Sequence, residues 1–160
     1  MRIRRMRHKG FRLPDGTVCV DRSTRYGNPF VVVRDDSGER DGWWVYDSRV
    51  EGHAGWFLPT LADARRLAVR SFAEDIKTGV IVFSDADWDR LDAARFIACW
   101  CDPDDGMACH GDVLLDERGR RRWIAARRAV KHGLELSTDD LLLGGPLRHV
   151  SLDDDEVVGP

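Results

Sequence analysis

The chain has 160 residues, of which 42% are hydrophobic and 33% are charged, and this composition excludes an intrinsically disordered protein. Its formal net charge of −3 excludes a general electrostatic attraction to nucleic acid. No apolar run is long enough to span a bilayer, and no apolar signal core follows the basic N-terminus. We therefore expect a cytoplasmic protein without a membrane partner, in which the cysteines are reduced.

The first part of the chain carries β-strand patterns. Apolar and basic side chains alternate over residues 2–7, which predicts an edge strand, and β-branched residues predict strands at 17–20 and 30–33. Aromatic residues at 43–46 and 55–58 predict the two arms of a hairpin. Its rings either pack in the core or form a platform on which bases stack, and both roles stay open.

The second part of the chain predicts helices around one central strand. Capping residues and the helical spacing of apolar side chains predict helices over 61–77 and 85–94. Apolar runs predict extended segments at 80–83 and 96–101, of which the second is the central strand. Further helices are predicted at 112–115 (with a hairpin arm as the alternative), 123–132 and 137–143.

Strands separated by helices predict an α/β or α+β fold, in which a small mixed sheet is flanked by helices. We expect a single domain over residues 1–150 and an acidic C-terminal tail over 151–160. In such folds, ligands bind beyond the carboxyl ends of the strands, where loops meet. Polar residues at 22–28 and at 99–112 each follow a predicted strand, so we expect the two segments to share one pocket.

Cys99, Cys101, Cys109 and His110 form a group of metal-ligand residues, here called the Cys/His group. Residues two apart in an extended strand share a face, so Cys99 and Cys101 are expected to point the same way. Cys109 and His110 would return from the loop and complete a four-ligand zinc site. The spacing differs from that of paired C-x-x-C knuckles, and adjacent side chains tend to diverge, which weakens the case for zinc.

The same group also suits covalent catalysis. A helix that begins near Cys109 would stabilise its thiolate and lower the pKa of that thiol. His110 would then act as acid or base, and Asp112 would orient the imidazole. The third interpretation is a set of buried, unreactive cysteines beside a histidine that caps a helix.

Residues 22–28, here called the basic loop, form a second candidate site. Arg22, Arg25, Tyr26 and Asn28 are its predicted ligand-binding residues, and they surround a glycine that lets a ligand approach the backbone. Phosphate or carboxylate is the natural ligand for such a set of donors. The alternative is a turn whose arginines are solvated.

Two segments carry a resemblance to a known family. They read R-S-T-R-Y-G-N-P-F from Arg22, and C-W-C followed by C-H-G-D-V-L from Cys99. They resemble the patterns G-R-x-x-x-W-G-N-P-F and C-W-C-x-P-x-x-C-H-x-D-V-L of a domain of unknown function found in bacteria and bacteriophages, especially those of actinobacteria. Asp21 stands for the usual glycine, Tyr26 stands for the tryptophan, and the loop at 102–108 is longer.

The resemblance covers about residues 17–116 and implies a phage or bacterial protein, located in the host cytosol if a phage encodes it. It implies no activity. Both motifs occur together, which agrees with the expectation of one shared pocket.

One functional hypothesis accounts for most of these observations. The pocket between the basic loop and the Cys/His group is expected to bind a phosphate-bearing ligand, a nucleotide or a nucleic-acid end, with cysteine-based hydrolysis or group transfer. The alternative is a non-enzymatic interaction protein that acts on a host target, with a structural Cys/His group that holds zinc or no metal. A third hypothesis is direct nucleic-acid binding through the basic stretches at 2–12 and 118–131. The sequence makes no prediction of oligomeric state.

Overall fold

A computed structural model describes residues 1–52 and 54–131 of the chain. Within these residues it contains six strands and three helices in an α+β arrangement. The strands are β1 (Arg2–Arg4), β2 (Thr17–Cys19), β3 (Phe30–Arg34), β4 (Trp43–Asp47), β5 (Trp56–Leu58) and β6 (Phe96–Cys99). The helices are α1 (Leu61–Thr78), α2 (Asp85–Ala93) and α3 (His110–Lys131). The helix predicted at 137–143 and the tail predicted at 151–160 lie outside the described residues.

The first sheet consists of three parallel strands in the order β1-β6-β2. β6 is therefore central, as the sequence predicts, and Ile97 pairs with Arg2 on one side and with Val18 on the other. The predicted end of this strand at residue 101 is wrong, because the chain bends directly after Cys99. Since all three strands run in the same direction, the segments that follow them emerge at one edge of the sheet.

The second sheet is antiparallel, in the order β3-β4-β5, and its β4-β5 pair confirms the aromatic hairpin. Trp44 contacts the ring edge of Phe57 at a centroid distance of 5.2 Å and stacks on Tyr46 at 6.0 Å, so these rings pack against one another. The α+β fold class is confirmed, and the strands are divided between two sheets rather than joined in a single mixed sheet.

Helix α1 confirms the prediction over 61–77. The Thr60 side chain accepts a hydrogen bond from the backbone N–H of Asp63 at its start, and Gly79 ends it in the left-handed conformation that favours glycine. Ala64, Ala68 and Phe72 lie on its buried face. The helix covers the antiparallel sheet through contacts with β3, β4 and β5, and it also contacts α3.

Helix α2 begins with a capping box. The Ser84 side chain accepts from the backbone N–H of Asp87, and the Asp87 carboxylate accepts from the backbone N–H of Ser84. The helix buries Trp88 and Leu91, as predicted. The predicted extended segment at 80–83 joins neither sheet. These residues form the connection from α1 to α2, and two of their β-branched side chains are exposed to solvent.

Helix α3 is one continuous helix of 22 residues. It confirms helix, and not a hairpin arm, at 112–115. It also confirms helix over 123–131, and the two predicted helices are one because the chain stays helical through Gly119. Arg118 donates to the carbonyls of Leu91 and Ala94, and Arg122 donates to the Asp92 carboxylate, which ties α3 to the end of α2. Among the described residues no helix has the length and apolarity that a membrane span requires.

The hydrophobic core joins both sheets and all three helices, and Phe72 is its largest fully buried side chain. We expect Phe72→Ala to lower the free energy of unfolding by about 3–5 kcal/mol through lost contacts and a cavity. The matched control is Val82→Ala in the connection, where the side chain is 72% exposed, and a change within about 0.5 kcal/mol is expected. Urea unfolding of both variants tests this, and equal losses would contradict the assigned core.

Candidate functional site

The candidate site lies at the edge where the three parallel strands end. Arg5 follows β1 and donates its backbone N–H to Cys99 O at 2.7 Å, while Val20 follows β2 and donates to Ala98 O at 2.9 Å. These hydrogen bonds continue the pairing one residue beyond each outer strand. They bring the segments after β1, β2 and β6 together, and this is the edge at which parallel sheets bind ligands.

A cavity of about 700 Å³ opens at this edge, and both predicted candidate segments reach it. The basic loop contributes Arg22 and Asn28, and the Cys/His group contributes all four of its members. The remaining wall contains the apolar face of α1 and the start of the antiparallel sheet, with Leu61, Val69, Val32 and Trp43. The cavity thus has a polar side at the parallel sheet and an apolar side at α1.

Three sulfurs converge at the polar side. The Sγ atoms of Cys99, Cys101 and Cys109, here called the cysteine cluster, all lie within 4.8 Å of one another. Cys99 is the last residue of β6, and the bend that follows brings the Cys101 sulfur to 3.6 Å from the Cys99 sulfur. Cys109 directly precedes α3 and accepts a hydrogen bond from the Gly111 N–H at 3.4 Å.

The cysteine cluster favours a thiolate. Hydrogen bonds from the Cys101 and Cys109 thiols, together with the backbone N–H groups of Cys101 and Trp100, outweigh burial and lower the pKa of Cys99 to about 3. The same hydrogen bonds hold a proton on Cys109, and burial adds to their effect, so the pKa of Cys109 is raised. The three thiols are coupled through these hydrogen bonds, so the cysteine cluster as a whole favours one negative charge.

His110 directly follows Cys109, and one of its ring nitrogens is hydrogen-bonded to a backbone carbonyl. Its Nε2–H donates to the Val20 carbonyl, and its ring packs edge-on against Phe72 at 5.6 Å. Burial lowers the pKa of His110, which keeps the ring neutral. Among the described residues the group that could hold one metal ion contains three cysteines without His110.

Asp112 lies on the first turn of α3, where its carboxylate forms an ion pair with Arg2 at 2.9 Å. It forms no hydrogen bond with His110 in the part of the chain that the structure describes, so the pair does not have the geometry of an oriented base. The catalytic roles of Cys109, His110 and Asp112 stay predictions.

Only part of the basic loop faces the cavity. Arg22 lines it and reaches the Phe30 carbonyl at 3.4 Å, whereas Arg25 forms an ion pair with Asp87 at 2.9 Å on α2. The Tyr26 hydroxyl donates to the Asp87 carbonyl at 3.1 Å, and burial raises the pKa of this phenol. These two side chains hold the loop against α2, and their predicted role in ligand binding stays a prediction.

Four charged residues of the cavity were not predicted from the sequence as site residues. Arg5, Arg7 and Arg65 contribute guanidinium groups, and Asp21 pairs with Arg5 and accepts hydrogen bonds from Ser23. The basic run at 2–12 is a visible signal, but its place beside the Cys/His group follows only from the pairing of β1 with β6. The place of Arg65 at the cavity has no local signal in the sequence. Residues three or four apart on α1 share a face, but this spacing does not say which face meets the cavity.

The comparisons with known proteins identify a family. The model of the family described as "Domain of unknown function (DUF4326)" matches residues 3–118, and the chain belongs to this family. The family resemblance derived from the sequence is therefore confirmed, over a longer stretch than the two motifs cover. No curated protein and no solved structure matches the chain.

Asn28 is a buried member of the basic loop whose side chain holds three segments together. It donates to the Ala68 carbonyl of α1 at 3.0 Å and accepts from the Phe30 N–H of β3 at 2.9 Å. We expect Asn28→Ala to lower the free energy of unfolding by about 1–3 kcal/mol, because it removes both bonds at a buried position.

The matched variant Asn28→Asp keeps the acceptor for Phe30 and loses the donor to Ala68. Differential scanning calorimetry is expected to give both variants a melting temperature below that of the unsubstituted chain, because each loses the hydrogen bond to Ala68. An Asn28→Ala protein with the melting temperature of the unsubstituted chain would remove this structural role.

Proposed function

We propose that this member of the DUF4326 family binds a phosphate-bearing ligand, a nucleotide or a nucleic-acid end, in the cavity at the edge of the parallel sheet. One observation carries the proposal: four arginines line the cavity against a single aspartate. Arg5 pairs with that aspartate and Arg65 pairs with Asp105, whereas Arg7 and Arg22 form no ion pair among the described residues. Guanidinium groups bind phosphate oxygens through paired hydrogen bonds.

The apolar side of the cavity supports an organic moiety on the ligand. Trp43, Val32 and Leu61 offer a surface for a planar ring, and the volume of about 700 Å³ is typical of a small-molecule pocket. A nucleotide combines a planar base with a phosphate and so matches both sides. A free inorganic anion would leave the apolar wall uncovered.

The cofactor that we propose for the cysteine cluster is zinc. Zn–S bonds of about 2.3 Å in a tetrahedral site put two ligand sulfurs about 3.8 Å apart. The sulfurs of Cys99 and Cys101 are 3.6 Å apart and all three lie within 4.8 Å, so a small movement of Cys109 suffices. A zinc ion beside a bound phosphate would favour hydrolysis or group transfer at that phosphate.

A structural cluster is the second candidate function, because Cys99 and Cys109 are part of the hydrophobic core. In that case the protein is an interaction module and the metal, if bound, holds β6 to α3. The two candidates differ in whether the cavity binds a ligand.

Isothermal titration calorimetry with AMP and with adenosine tests the ligand class. We expect AMP to bind and adenosine to bind at least about tenfold more weakly, since a charged hydrogen bond contributes about 1.5–3 kcal/mol. A 5′-phosphorylated oligonucleotide against its unphosphorylated form tests a nucleic-acid end in the same way. Equal affinities within both pairs, or no binding at all, would contradict the proposal and favour the interaction module.

Neighbouring arginines on α1 provide a matched pair of variants. Arg65 lines the cavity, whereas Arg66 pairs with Asp63 and its side chain is 72% exposed. Arg65→Gln is expected to weaken AMP binding about tenfold, and Arg66→Gln is expected to leave it unchanged. Equal losses in the two variants would show that net charge, and not the cavity, determines binding.

Elemental analysis of the purified protein tests the metal. We expect one zinc per chain, lost in Cys101→Ser and kept in Cys19→Ser, because Cys19 is the one cysteine outside the cluster. Zinc below stoichiometry in the unsubstituted chain, or zinc retained in Cys101→Ser, would contradict the assignment.

A further inference from the structure

A buried cation lies behind the cysteine cluster. The Arg2 side chain is 9% exposed, and its Nε atom lies 2.9 Å from the Asp112 carboxylate. Its Nε and Nη1 atoms are buried, and neither has a hydrogen-bond partner among the described residues, so the contact with Asp112 is an ion pair. A buried guanidinium whose donors lack acceptors is costly, and a second anion beside it would lower that cost.

The cysteine cluster is the nearest candidate for that anion. A Cβ atom on Gly111 would lie 3.1 Å from Arg2 Cδ and 3.6 Å from the Cys109 sulfur, so Arg2 and Cys109 approach each other across this glycine. The guanidinium side chain and the Cys109 sulfur are therefore close enough to interact electrostatically.

A bound metal would leave the cysteine cluster with a negative charge beside Arg2. Three thiolates and one divalent ion carry a net charge of −1, and the Asp112 carboxylate carries another. Arg2 would then lie between two anionic groups and partly neutralise both.

The fourth coordination position has no protein ligand within the described residues. His110 is held by the Val20 carbonyl, and the group that could hold one ion contains the three cysteines alone. All three line the cavity, whose other polar residues include Arg7 and Arg22. Zinc sites with three protein ligands and an open position bind water or substrate there.

We infer that the cysteine cluster forms an open three-thiolate metal centre with Arg2 as its buried counter-cation, and that a phosphate oxygen of the cavity ligand occupies the fourth position. This inference rests on the proposed function, because it takes the ligand from there. It adds that the ligand bonds to the metal itself and is not held by arginines alone. It also assigns Arg2 a positioning role toward the metal.

Cobalt substitution tests the open position, since Co²⁺ in place of zinc absorbs visible light in a way that depends on its ligands. We expect AMP to change the visible spectrum of the cobalt-loaded protein, with half of the change at the Kd that calorimetry gives. Binding of AMP in calorimetry with an unchanged cobalt spectrum would overturn direct coordination. The proposed function would survive that result.

Azide separates a failure of phosphate binding from a failure of the open metal centre, because it is a small metal ligand that needs no cavity arginine. A spectral change with azide but no binding of AMP in calorimetry would overturn phosphate as the fourth ligand and contradict the proposed function, while supporting an open centre. No change with azide or AMP would overturn the open centre.

The role of Arg2 is tested by zinc affinity in competition with a chelator. Arg2→Met removes the charge and keeps the length of the side chain, and a loss of about 10–100-fold in zinc affinity is expected, as for other residues that support metal ligands. Arg2→Lys keeps the charge and is expected to keep most of the affinity. The control is Arg4→Met on the same strand, where the side chain is 53% exposed and pairs with Asp102.

Circular dichroism of each metal-free variant separates zinc affinity from folding. Unchanged zinc affinity in a folded Arg2→Met protein would overturn the counter-cation. If Arg2→Met does not fold, the test uses Arg2→Lys. A zinc affinity near that of the unsubstituted chain supports the role of charge. A zinc affinity as low as that of Cys101→Ser overturns it.

Discussion

The pairing of β6 with a strand on each side is the constraint on which the site depends. β1 and β2 both run parallel to β6, so three chain segments that are far apart in sequence end at one edge. The backbone bonds from Arg5 to Cys99 and from Val20 to Ala98 hold these ends in register. Arginines from the N-terminus, the basic loop and the cysteine cluster meet because of this register, and no local interaction within one segment would bring them together.

Electrostatics then divides the cavity into distinct parts. Four arginines line it, the thiols of the cysteine cluster lie at its polar side, and Arg2 lies close to Cys109 beside Gly111. The buried Arg2 is balanced by Asp112 and by the sulfurs, while Arg22 and Arg7 have no carboxylate among the described residues. This distribution of charge suits the anionic ligand that we propose for the cavity.

Local patterns in the sequence predicted most elements, and long-range pairing accounts for the rest. The caps at Thr60 and Ser84 and the buried positions Phe72 and Trp88 are visible in the sequence, because helix periodicity and capping depend on near neighbours. Residues 80–83 show where local patterns are insufficient, because a β-branched run forms a strand only when a partner strand is available. The convergence of three cysteines was predictable as a group, but the orientation of His110 depends on its bond to Val20, which lies 90 residues away.

X-ray absorption at the zinc edge of the purified protein, with and without AMP, tests the central claim most directly. We expect three sulfur ligands at about 2.3 Å and one lighter oxygen or nitrogen ligand, with phosphorus appearing beyond the oxygen when AMP is bound. Four sulfur ligands, or two sulfurs with two nitrogens, would contradict an open centre formed by Cys99, Cys101 and Cys109.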